Sequence, residues 1–191
     1  VLRALGDNRW RLELRVESFV LDTVEYSEFR WDGQTCHTTP ERYAYTRKGI
    51  GRNKQLALSF DHARRLVTRN DGRETSTYAI NARTEDKLGH TLALACRVAR
   101  GERGTFDIDV AWDRDVRNLD YSVGAGDENV STPLGTFRAL RVSRTRVDSD
   151  RVTTLWISPA TGWQPVQMQH TEGDGRLFQL RLLETSHAQA R

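Results

Sequence analysis

Trp10, Leu12, Leu14 and Val16 alternate with Arg11, Glu13, Arg15 and Glu17. Side chains on a strand change face at every residue, so this period of two predicts a half-buried strand with one charged face. The period returns at Tyr43 and Tyr45, at Leu56, Leu58 and Phe60, at Phe106, Ile108, Val110 and Trp112, and at Leu119, Tyr121 and Val123. Residues 136–147, 151–157, 164–171 and 176–183 read as four more strands. Turn residues punctuate them. "DGQ" at 32–34 reads as a turn, and "GIGRNK" at 49–54 and "GAGDEN" at 124–129 read as loops. "NDG" at 70–72 is a hairpin signal, because Asn, Asp and Gly tolerate the positive φ of tight turns. "DSD", "SPATG" and "EGDG" connect the last four strands, and "SHAQAR" reads as a frayed end.

One stretch breaks the alternation. Leu88, Leu92, Ala95 and Ala99 recur at spacings of four and three, after Glu85 and Asp86 and alongside Arg97 and Arg100. Acids at the start, bases at the end and Gly101 beyond them predict a helix over 84–100, against which only Gly89 speaks. The expectation is a single domain, 1–191, mainly β. It consists of one curled antiparallel sheet, an open or partly closed barrel, with a single covering helix near 84–100. A large sheet with one apolar face must curl, close, bury itself in a partner or hold a ligand.

Composition narrows the function classes. Hydrophobic residues make up 37%, enough for strands that are apolar on one face only. Charged residues reach 29%, yet the net charge is only +3, so no global field attracts nucleic acid. No apolar run is long enough for a transmembrane segment. The chain opens on Val1 rather than Met, which suggests a trimmed N-terminus. Cys36 and Cys96 fit either one disulfide in an oxidising compartment or two buried thiols in a reducing one.

Catalytic chemistry finds little support. His37, His62, His90, His170 and His187 form no metal-ligand pair, and no nucleophile elbow occurs. Asp107 and Asp109 share a strand face but alternate with apolar residues, as solvated charges do. No catalytic residue, metal site or cofactor is assigned. Arg138, Arg144 and Arg146 share one parity on strand 136–147, with Arg141 on the other, and form a candidate anion-binding face. The alternative is a charged edge strand guarded against aggregation. Leu155, Trp156 and Ile157 form an apolar triplet, the mark of a strand covered on both sides. Tyr43, Tyr45, Leu88, Leu92, Trp112 and Trp156 are the candidate lining for an apolar ligand under the helix.

Five stretches in order resemble a known family. They are "YSEFRWDG" (26–33), "RYAYTRKGIGRNKQLALSFD" (42–61), "EDKLGHTLAL" (85–94), "TPLGTFRALRVSRTR" (132–146) and "TTLWISPATGWQPVQMQ" (153–169). Together they resemble the bacterial domain of unknown function 3108, over residues 10–184. The resemblance implies a protein exported by a Gram-negative bacterium, periplasmic or envelope-associated, with its signal peptide removed. It also implies a lipoprotein-carrier-like curled sheet, and a further strand before Val1. The expected function is non-enzymatic: a hydrophobic or amphipathic ligand, a lipid or lipid-linked glycan, bound in the curled sheet. The alternative is an adaptor or structural module that binds an envelope protein or an anionic polymer through its arginine-rich strand.

Overall fold

The computed structural model describes residues 1–17, 21–49, 53–146 and 149–185. Residues 50–52 of the "GIGRNK" loop, Asp148 of the "DSD" turn, the "SHAQAR" terminus with its His187, and the side chain of Arg146 lie outside the described residues.

The protein is mainly β. The first sheet is a seven-stranded meander: β1 (Leu2–Gly6), β2 (Arg9–Glu17), β3 (Leu21–Asp32), β4 (His37–Gly49), β5 (Lys54–Asp61), β6 (Leu66–Asn70) and β7 (Thr75–Ala79). Each strand pairs antiparallel with the next. The later strands are β8 (Glu85–Asp86), β9 (Gly104–Ala111), β10 (Val116–Thr132), β11 (Gly135–Arg146), β12 (Ser149–Ser158), β13 (Gln164–Thr171) and β14 (Leu177–Arg181). They form a second seven-stranded sheet in which each strand lies beside its neighbour in sequence, from β8 to β14. The single sheet expected from the sequence is therefore two, and neither closes on itself. The reason is local: after Ala79 the chain leaves the meander and resumes pairing at β8, which runs parallel to β9 instead of antiparallel to β7.

The turns follow the sequence signals. At the β6–β7 hairpin the Asn70 side chain accepts from the Gly72 N–H at 2.7 Å. Asp71 accepts from the N–H groups of Arg73 and Glu74. Asp32 likewise caps the turn through Gln34 and Thr35. "GAGDEN" is not a loop. β10 runs through it, and its glycines fall where the register with β11 shifts between Val123 and Asp127. Glycine inside a strand often marks such a bulge.

The helix α1 spans His90–Ala99, not 84–100. Glu85 and Asp86 are β8, paired with Val110 and Ala111. The buried residues of α1 are His90, Ala93, Leu94 and Val98, whereas Ala99 is exposed. The stripe read from Leu88 to Ala99 started too early, because Leu88 precedes the helix. Among the described residues no helix is long and apolar enough to cross a membrane. Cys36 and Cys96 are both disulfide-bonded.

The chain packs as two compact units: Val1–Leu94 with Asp109–Asn118, and Ala95–Ile108 with Leu119–Arg191. The core of the first unit is Tyr43, Leu56, Leu58, Val67, Ile80, Leu88 and Ala111. Val130, Phe137, Ala139, Trp156 and Val166 form a cluster in the second.

Candidate functional site

In the first unit, the segment Glu85–His90 buries two adjacent carboxylates. Asp86 accepts from the N–H groups of Leu88 at 2.8 Å and Gly89 at 2.7 Å, and from the Ser27 hydroxyl. Glu85 accepts from the Thr38 N–H at 3.0 Å and from the Thr38 hydroxyl, and it contacts His37 Nδ1 at 2.7 Å. These bonds tie the turn before α1 to β3 and β4. Gly89 is required by space: a Cβ there would meet Thr38 Oγ1 at 2.8 Å and Asp86 Oδ2 at 3.0 Å. Burial pushes the Asp86 carboxyl up to about 6, against the pull of its N–H and hydroxyl donors. Burial also raises Glu85, and His37 opposes the rise. The carboxylates are thus costly to ionise and fully bonded, which suits a structural latch better than an exposed acid and base.

Lys87, between them and Leu88, stands apart. Its Nζ lies 4.6 Å from the centre of the Trp112 ring, 5.5 Å from Tyr45 and 5.7 Å from Tyr43. Arg117 covers Trp112 as well, at 5.0 Å. Tyr43 donates its hydroxyl to Glu25 at 2.6 Å, and burial, then the Glu25 charge, raises its ionisation far above the ordinary value. Burial lowers the Lys87 pKa, and Glu25 works the other way. Among the described residues Lys87 has aromatic neighbours but no hydrogen-bond acceptor and no ion-pair carboxylate.

The register of the first sheet shows what lies beside this lysine. Directly paired residues point to the same face. One row across the sheet reads Leu2, Leu12, Ser27, Tyr43 and Leu58. The next reads Leu14, Glu25, Tyr45 and Leu56, and the third Val16, Thr23, Arg47 and Lys54. The face is buried at Tyr43, Leu56 and Leu58, and Leu12 packs against that core. It then runs on into solvent: Leu2 is 46% exposed, Leu14 45% and Val16 43%. An apolar margin thus continues a core face outward, with Lys87 and Glu25 beside it.

A second buried cation lies in the same unit. Arg69 is 3% exposed and meets Asp71 at 2.7 Å, Asp113 at 2.9 Å and Glu74 at 3.7 Å. Its hydrogen bonds to Asp113 and Asp71 raise its pKa further, and the Glu74 N–H, then Arg69 and the Arg73 N–H, hold Asp71 well below the usual carboxylate range. This network fastens the β6–β7 hairpin.

The structure brings together four of the six residues read as a ligand lining. Tyr43, Tyr45 and Leu88 belong to one packed cluster, and Trp112 joins Tyr43 and Tyr45 around Lys87. Tyr43 and Leu88 are core residues. Leu92 is half-buried on α1. Trp156 belongs to the cluster of the other unit, and its indole N–H donates to Glu128 at 2.9 Å. The arginine face is not gathered into a patch. Leu140 and Val142, both buried, stand between Arg138 and Arg144 on the same parity, and six residues of strand separate the two by about 20 Å. Arg138 pairs with Asp127 at 2.8 Å, and Arg144 donates to Thr153 at 3.3 Å. Sequence reading missed Lys87, Glu25 and Arg69. The only local signal for Lys87 was a lysine set between an acidic pair and a leucine, and its aromatic neighbours come from distant strands.

Among the described residues, two seven-stranded open sheets with one α-helix define a β-rich protein whose fold has a solved parallel. The crystal structure of a beta-barrel-like protein of domain of unknown function DUF1849 from Brucella abortus is similar, with a TM-score of 0.56 at 10% identity, covering 91% of this chain and 79% of that one. The sequence matches the family described as "Protein of unknown function (DUF3108)" over residues 5–182, and the chain belongs to that family. No curated protein matches the sequence.

Proposed function

We propose that this protein is a non-enzymatic binding protein of the cell envelope, periplasmic in a Gram-negative bacterium, that holds a hydrophobic or amphipathic ligand such as a lipid or lipid-linked glycan. The ligand lies on the open margin of the first sheet, along Leu2, Leu12, Leu14 and Val16. The observation that carries this reading is the continuity of one face from the buried Tyr43–Leu58 core to leucines and a valine nearly half exposed. Contiguous exposed apolar surface is a feature of ligand grooves and interfaces. The cell-envelope setting is supported by the two disulfide-bonded cysteines, since such bonds persist in oxidising compartments. The export implied by the family resemblance agrees with it.

The test is a titration with Nile red, whose fluorescence rises in apolar surroundings. The wild type gives saturable binding. Leu14→Glu combined with Val16→Glu removes it while leaving the melting temperature close to that of the wild type, because both positions are half exposed. No saturable binding by the folded wild type, or undiminished binding by the double variant, overturns the proposal.

A further inference from the structure

Resting on that reading, the geometry points to Lys87 as the anchor for the head of the ligand, which we infer to be a compact monoanion, a carboxylate or a phosphate diester, carried on an apolar chain. An ammonium has three N–H donors. At Lys87 none meets a protein acceptor among the described residues, although the side chain is half-buried. Three aromatic rings stabilise the charge through their faces but accept no conventional hydrogen bond. A partly desolvated cation held in this way is short of an acceptor, and an anionic ligand would supply one. Arg69, in the same unit, shows the other solution, with three carboxylates around its guanidinium.

The surroundings limit the anion. Glu25 faces Lys87 and is held in place by the Tyr43 hydroxyl, so it partly offsets the positive charge and disfavours a head with two full charges. Lys54, Asp113 and Arg117 also act on Lys87, so three cations stand against two carboxylates and the balance stays open to one negative charge. The distance suits an acyl chain. Tyr45, under Lys87, and Leu14 are two strands apart on one face, about 10 Å, the reach of a medium-length chain. A head at Lys87 is therefore within reach of a tail lying on Leu12, Leu14 and Val16.

The experiment displaces Nile red with dodecanoate and with dodecanol, which share a chain and differ in the head, at pH 8 and low salt. The wild type is displaced by dodecanoate at least about tenfold more readily than by dodecanol, as one charge-assisted hydrogen bond requires. Lys87→Met abolishes that preference and keeps dodecanol displacement within about twofold of wild type, and Lys87→Arg restores the preference. Dodecyl phosphate, which carries two charges at pH 8, displaces the dye less readily than dodecanoate, and a stronger effect from the dianion overturns the inference of a singly charged head. Equal displacement of the wild type by acid and alcohol overturns the anchor and leaves the apolar face standing. A preference that survives in Lys87→Met does the same. Failure of both amphiphiles to displace the dye removes both readings.

Discussion

Lys87 and Arg69 are two cations drawn out of water in the same unit, and they are treated in opposite ways. Arg69 is almost fully buried, and Asp71, Asp113 and Glu74 compensate its charge. Its Nη1 alone lacks a hydrogen bond. Lys87 is half-buried against Trp112, Tyr45 and Tyr43 and has no carboxylate within ion-pair distance. Burying a charge is costly unless it is paired. The Arg69 region meets that cost internally and reads as architecture. The Lys87 region leaves it partly unmet, next to an apolar face that runs into solvent, and reads as a site.

The largest expected effect separates the two directly. Arg69→Met removes the cation shared by Asp71, Asp113 and Glu74 and should cost about 3 kcal/mol in urea unfolding, the low end for a broken buried pair, because those carboxylates are partly exposed and Asp113 and Glu74 keep Lys54 and Arg114. A loss under about 1 kcal/mol would place Arg69 among ordinary surface pairs.

The buried acids beside Lys87 give a pH signature of similar size. The folded-state pKa of Asp86 is raised, from an ordinary 3.8 to about 6, so the folded protein binds a proton more tightly than the unfolded chain across that window. Stability from this group is therefore fully present below the unfolded value of 3.8, falls as pH rises towards 6, and is lost above it. Asp86→Asn keeps the acceptor for Leu88 and Gly89 but cannot ionise. The stability difference between wild type and Asp86→Asn should shift against the wild type by about 2 kcal/mol between pH 4 and pH 7. A difference independent of pH would show that Asp86 is not held in its buried, raised state.

Gly89→Ala places a methyl group against Thr38 and Asp86 and should destabilise by about 2 kcal/mol, since both atoms are buried and bonded. A neutral result would mean that the turn before α1 can shift to accept it. The smallest effect is expected at the proposed site itself. Lys87→Met removes a cation with no acceptor and keeps an apolar stem against the rings, so unfolding should change by less than about 1 kcal/mol in either direction. A loss matching that of Arg69→Met would make Lys87 a structural residue and end the contrast between the two.

The sequence carried the meander and its turns well, because both are local. The alternation at Trp10–Val16, the Asn70–Gly72 turn and the last four strands each depend on residues close together in the chain. It misled at Glu85 and Asp86. Two acids ahead of an apolar repeat match a helix start, and only the distant Ser27, Thr38 and His37 turn them into a buried strand. The arginines of β11 misled by parity alone: their shared face holds Leu140 and Val142, whose burial depends on neighbouring strands. The aromatic lining was legible as residue types. The lysine at its centre was not, because register across β3, β4 and β5 assembles the site.

A crystal structure of the protein grown with saturating dodecanoate tests the central claim most directly. The prediction is an acyl chain lying over Leu12, Leu14 and Val16 with its carboxylate in hydrogen-bond contact with Lys87 Nζ. A bare face at those residues under saturation, or a chain seated elsewhere on the molecule, would contradict it.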